Sequence, residues 1–104
     1  MNNIADDHGM AFGTALALAQ LGHRIARRGW NGKGMFVAYM PPVVIPADKV
    51  NERTRVYVPE GDLHVGGYLV LKTAQGVWQP GWNASTPDLL AHDWIDLDAG
   101  EVTP

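Results

Sequence analysis

Residues 26–36 read ARRGWNGKGMF, and they place three of the chain's eight basic residues beside a tryptophan and a glycine-rich turn, with no carboxylate among them. Guanidinium and ammonium groups next to an aromatic plate are the chemistry of a flat anion: the charges answer phosphate, and the ring answers a base. Trp30 and Trp82 both adjoin turn residues, in GWNG and PGWNAS, and both are followed directly by asparagine. Asn31 and Asn83 therefore offer an amide donor and acceptor beside each ring, suited to a base edge or a ribose. Arg27 and Arg28 supply the charge, and Met35 closes the block. A second candidate is ASTPDLLAHDW, residues 84–94. Ser85 or Thr86 can cap a helix whose first turn holds Pro87, and a helix start of this kind presents free N–H groups to a phosphate. Asp88 would repel a phosphate, so its roles are either the reaching-back carboxylate of a capping box on Ser85 or an acceptor from ribose hydroxyls.

Catalytic and metal chemistry find little support. His8, His23, His64 and His92 lack metal-ligand spacing, there is no cysteine, and no GxSxG elbow or P-loop is present. No catalytic residue, metal or cofactor is expected. A phosphodiesterase-like enzyme could be drawn only from Asp88, His92 and Asp93, although a short helix should set the two aspartates on different faces. A protein-binding module using an exposed tryptophan surface is the other alternative.

The elements that must position these residues fit one domain of 104 residues, with residues 1–10 and 99–104 frayed. Net charge is −3, a poor match for a nucleic-acid polymer. The distribution is more informative: Arg24, Arg27, Arg28 and Lys33 fall in a stretch without acids, and the segment from Ala84 onward carries five acids and no base. Either these segments neutralise one another across the fold, or the first forms a local anion site; the two are compatible. The first twenty residues hold no Lys or Arg, and no apolar run approaches the ~20 residues of a membrane span, so no secretory signal or membrane anchor is expected.

FGTALALAQL, residues 12–21, carries an apolar stripe at helical spacing on Phe12, Ala15, Leu18 and Leu21, with Gly22 as its cap. Residues 24–39 read as a β-hairpin turning on Asn31-Gly32, with Trp30 entering the turn. Residues 41–54 hold three prolines and read as an extended loop or edge. RVYV (55–58) reads as a short strand, GYLVLKT (67–73) as a strong one, STPDLLAHD as a short helix and WIDLD as a closing strand. Trp78, Leu89, Leu90 and Trp94 are expected in the core. The sum is an α+β domain: an N-terminal helix packed on a small twisted, mainly antiparallel β-sheet, with a short second helix near the C-terminus.

Taken together, FGTALALAQLGHRIARRGWNGKGMF and YLVLKTAQGVWQPGWNASTPDLLAHDW resemble the second Thoeris anti-defence family, small phage proteins that act as sponges. They cover roughly half the chain in order, and segment 41–67 lies between them. The resemblance implies sequestration without degradation of the cyclic nucleotide signals of Thoeris and CBASS-type immunity, chiefly glycocyclic ADP-ribose and in some members cyclic dinucleotides. It further implies action in the cytoplasm of the infected bacterial host, as a homotetramer with ligand pockets between subunits. Carried onto this sequence, Trp30 stacks on a base with Asn31 beside it, and Ser85 and Asp88 lie near the ribose or base edge. Asn83 departs from the family pattern, in which Leu or Pro follows the second tryptophan.

Overall fold

A computed structural model describes residues 9–30 and 32–99. The first helix, α1 (Phe12–Gln20), has no side-chain cap at Ala11 but ends as the glycine predicts. Gly22 takes φ +104°. His23 N–H bonds the Leu18 carbonyl at 3.2 Å, and Gly22 N–H bonds that of Ala19 at 2.9 Å, which satisfies carbonyls the helix leaves open. Ala15 and Ala19 are fully buried, so the helix lies close on the sheet through small side chains. Leu21, expected on the inward stripe, is 77% exposed because the chain has already left the helix there.

Five strands form the main sheet: β1 (Ile25–Arg27), β2 (Phe36–Met40), β5 (Tyr68–Lys72), β6 (Trp78–Pro80) and β7 (Trp94–Asp96). Their order is β6-β5-β2-β1-β7, and every pairing is antiparallel, as expected. Ile25 stands opposite both Val37 and Asp96, and Arg27 opposite Trp94. Beyond β7, Met10 exchanges backbone bonds with Trp94, so this end of the expected frayed arm is tied to the sheet. Residues 1–8 and 100–104, also expected to fray, lie outside the described residues, as does Asn31.

Between β2 and β5 the chain departs in part from its sequence reading. Of the two readings of 41–54, extended loop or edge, Val43–Ile45 (β3) takes the second: it pairs with Leu63–Val65 (β4) in a separate two-stranded arm. A 3-10 turn (Ala47–Lys49) and α2 (Glu52–Arg55) follow β3, so RVYV is not a strand: Arg55 ends the helix and residues 56–58 turn away from it. The reason is local. Asn51 caps the helix by accepting from Thr54 N–H at 2.9 Å, with Glu52 in the first turn and Arg53 and Arg55 in the last. Arg55 then bonds the carbonyls of Ala47, Val58 and Gly61, which outweighs the strand preference of Val-Tyr-Val.

The core gathers Ala15, Ala19, Ile25, Val37 and Trp94, with Phe12, Tyr39, Leu69 and Leu71 packed against it. Trp94 is wholly buried, and its indole N–H reaches the Asp88 carbonyl at 2.9 Å. Three expected core residues are not there. Trp78 is 52% exposed on edge strand β6, and Leu89 and Leu90 are exposed on α3 (Thr86–Leu90), a helix too short to bury a full face. Truncating Trp94 to alanine should therefore cost ~3–5 kcal/mol in urea unfolding, whereas the same change at Trp78 should cost under about 1 kcal/mol.

Candidate functional site

Arg27 leaves the sheet on the same side as Trp94 and meets two aspartates at once. Its Nη1 donates to Asp88 Oδ1 at 2.9 Å, and its Nε donates to Asp93 Oδ1 at 2.8 Å. Asp93 was considered above only as an unconvincing catalytic partner, yet it holds the loop that carries Trp30. Its Oδ2 accepts from Gly29 N–H at 2.8 Å, and its carbonyl accepts from Arg28 N–H at 3.0 Å. A Cβ at position 29 would stand 2.9 Å from Asp93 Oδ2, so a larger residue there would have to displace the carboxylate that Arg27 holds. β1 and β2 pair antiparallel as the expected hairpin does, with eight residues between them, 28–35, of which the expected turn residue Asn31 lies outside the described residues.

Asp88 links this loop to α3. The capping box is present: Ser85 Oγ accepts from Asp88 N–H at 3.2 Å, and Asp88 Oδ2 accepts from Ser85 N–H at 3.2 Å. Asp88 Oδ1 also accepts from the Trp30 indole N–H at 3.4 Å. Trp30 is half-buried, edge-on to Trp94 at 5.3 Å and to Trp82 at 6.2 Å, so its orientation is fixed from three sides. Trp82 is itself anchored through its backbone N–H, which donates to the Leu69 carbonyl at 3.0 Å.

Of the expected site residues, Arg27, Trp30, Trp82, Ser85 and Asp88 are thus brought together. Asn83 and Thr86 are exposed beside them in sequence, and Arg28 is exposed on the loop. Met35 lies at the loop's other end, where a Cβ on Gly32 would meet its sulfur. The signal that identifies Asp93 is the opposed charge of the two segments. Arg24 pairs with Asp98, Arg27 with Asp88 and Asp93, and His23 Nδ1 lies 2.7 Å from Asp96. Mutual neutralisation of the segments is therefore realised, and it leaves Arg28 and Lys33 as the exposed bases of the loop.

Electrostatics follow the contacts. Burial works to raise the Asp88 carboxyl, but hydrogen bonds from Arg27, Ser85 and Trp30 outweigh it and hold the group below the usual range. Asp93 is lowered chiefly by its hydrogen bond from Arg27, against a smaller opposing effect of burial. Arg27 is raised in return by its bonds to Asp93 and Asp88. Asp98, on the surface, is pulled down to about 2 by Arg24.

Residues 10–97 match the Thoeris anti-defense 2-like domain. The chain belongs to that family, and with it to proteins that act against a bacterial defence. A curated relative, Thoeris anti-defense 2 of Bacillus phage SP01, is 33% identical over 85 residues, covering 82% of this chain and 91% of the relative. The matched span contains the whole Arg27–Asp88–Asp93 network, both site tryptophans and the arm. Among the described residues no helix is long and apolar enough to cross a membrane, and no group of three or more His, Cys, Asp or Glu is placed to hold a metal ion.

Two depressed carboxylates bound to one arginine fix the sign of the acid response. Their stabilisation is fully present above the ordinary aspartate value of ~3.9 and is lost as the pH falls through their lower folded values. Melting temperature should stay level from neutrality down to about pH 5 and fall below about pH 4. The Asp93→Asn variant, already without one of these charges, should show a lower plateau and a shallower acid limb in the same thermal scans.

Proposed function

We propose that this anti-defence protein binds and sequesters cyclic nucleotide immune signals, glycocyclic ADP-ribose and cyclic dinucleotides, and holds them unchanged. Thoeris and CBASS-type immunity in the infected cell's cytoplasm would be blocked because the signal no longer reaches its effector. The observation that carries the reading is the pair of half-buried tryptophans, Trp30 and Trp82, fixed edge-on by Asp88 and Leu69 beside a loop with exposed Arg28 and Lys33. A rigid aromatic site loses little entropy on binding, which suits tight retention of a ligand. Bases stack on the available ring faces of Trp30 and Trp82, while Asn31, Asn83 and the Ser85–Thr86 hydroxyls face ribose and base edges. Arg27 acts mainly by holding Asp88 and Asp93 in place, so phosphate charge falls to Arg28 with Lys33.

The ligand is large for one short chain, and the family resemblance supports a homotetramer whose pockets are completed by neighbouring subunits. Neither nucleic-acid polymer nor membrane is a partner in this reading, and no step of turnover is assigned to His92, Asp88 or Asp93. Their arrangement supports this, since both carboxylates are held by structural donors.

One observation favours a different reading. The arm carries a groove of about 330 Å³ lined by Pro42, Val43, Val44, His64, Val65 and Gly66, and Val56 and Tyr57 are exposed on it. None of the candidate site residues lines that groove, so an inhibitor of a host protein would work through the arm instead. Thermal-shift titration with cyclic ADP-ribose isomers and cyclic dinucleotides separates the two. Sequestration predicts a rise in melting temperature, recovery of intact ligand after heat denaturation, and loss of the shift in Trp30→Ala with native circular dichroism retained. A hydrolysed product, or a shift unaltered by Trp30→Ala and abolished by changes in the arm, would overturn it.

A further inference from the structure

Two short junctions join the arm to the main sheet. Pro41 and Pro42 lead from β2 into β3, and Gly66 and Gly67 lead from β4 back into β5. The arm and the sheet share no strand pairing, so the root of the arm depends on what packs against these junctions. The two glycines differ. A Cβ at Gly66 would meet nothing within 4 Å, whereas one at Gly67 would stand 2.6 Å from the Tyr39 hydroxyl, 3.1 Å from its Cζ and 3.2 Å from Pro42 Cδ. Gly67 does not take a positive φ, so a side chain is excluded there by lack of space and not by backbone conformation. The tip of the Tyr39 ring therefore fills the place where another residue would carry its β-carbon.

Tyr39 also faces the core. It packs against the buried cluster, as Leu69, Trp30 and Trp82 do, and its register partner across β2 and β5 is Leu69. The Leu69 carbonyl anchors the second tryptophan of the site: it accepts from Gly81 N–H at 2.8 Å and from Trp82 N–H at 3.0 Å. Trp82 in turn stands edge-on to Trp30 at 6.2 Å and to Trp94 at 6.3 Å. Among the described residues the Tyr39 hydroxyl makes no hydrogen bond to the protein, so packing alone holds the ring. We propose that Tyr39 is a positioning residue for the tryptophan site: wedged against Gly67 at the root of the arm, it fixes the start of β5 and, through the Leu69 carbonyl, the place of Trp82. A tyrosine has two side-chain torsions and cannot fold away from an added methyl as a longer flexible chain would. In a close-packed interior the displaced ring must push on the core or on the backbone of residues 67–69. A binding plate has to be held within about 0.5 Å of its productive geometry, so a shift of that backbone is felt by whatever stacks on Trp82.

The proposal rests on the sequestration reading for its effect on a ligand, and on Trp82 itself for its effect on position. Gly67→Ala is compared with Gly66→Ala, which alters the same junction where there is room. It is also combined with Tyr39→Phe, which removes the oxygen that the new methyl would strike. The four tryptophans are replaced by 5-fluorotryptophan, and their fluorine resonances are assigned by single Trp→Phe changes. Gly67→Ala should move the Trp82 resonance and leave that of Trp78 in place. Gly66→Ala should move neither, and the double variant should return Trp82 towards its wild-type position. Titration with glycocyclic ADP-ribose and cyclic di-GMP, for whichever the wild type binds, should show Kd raised about tenfold in Gly67→Ala and restored to within about threefold in the double variant. An unmoved Trp82 resonance in folded Gly67→Ala, an equal movement in Gly66→Ala, or no return in the double variant overturns the proposal. Should Gly67→Ala fail to fold, Tyr39→Leu replaces it, since it withdraws the ring without adding a clash; a Trp82 resonance that it leaves unmoved is equally fatal. A wild-type chain that binds neither nucleotide would sink the sequestration reading and leave the fluorine spectra to decide this one.

Discussion

Arg27 connects three stretches of chain that are far apart in sequence. It leaves β1, donates to Asp88 in the first turn of α3, and donates to Asp93 in the turn before β7. Partly exposed ion pairs of this kind add little net stability, because desolvation offsets most of the attraction. Their value here is geometric. A planar guanidinium with both edges engaged fixes the distance and tilt between two carboxylates, and each carboxylate then orders backbone or indole groups of its own. Trp30, Gly29 and Ser85 take their places from that pair of aspartates.

The consequence for charge is the mutual neutralisation that the two opposed segments allowed. One cation held between two anions leaves the centre of the network with a formal charge of −1, even though it is built from the most basic stretch of the chain. A phosphate would be repelled from Arg27 by the same carboxylates that hold it. Positive potential must come from the rim of the loop, where Arg28 and Lys33 are exposed. Such an arrangement separates two tasks, since the inner charges set the shape and the outer ones can meet a ligand.

Local chemistry was legible in the sequence, and burial only in part: Trp94 and Ala15 lie in the core as expected. Gly22 and the Ser85–Asp88 capping box were readable because each is decided within a few residues by hydrogen bonds whose partners are adjacent. The antiparallel sheet and the position of the two helices followed from hydrophobic periodicity. Trp78, Leu89 and Leu90 were misplaced because residue type does not reveal whether a strand lies at an edge or a helix is long enough to bury a stripe. The helix at 52–55 escaped notice because its Asn51 cap precedes a Val-Tyr-Val run that favours strands. Asp93 was missed as a site residue for another reason: its partners are about 65 positions away, and only the complementary charge of two segments hinted at them.

The two faces of the sheet are linked by the loop that carries Trp30. It begins at Arg28, beside the inner network, and leads into β2 at Phe36, whose ring lies near Arg24, Lys72 and Trp78. The loop is secured at both ends, by Asp93 on the backbone of Arg28 and Gly29 and by the Lys72 ammonium on the Gly34 carbonyl at 3.3 Å. An enzyme would need part of such a loop to open and close around its chemistry. A protein that only holds its ligand gains from the reverse, because each contact that immobilises the loop before binding removes an ordering cost from the binding step.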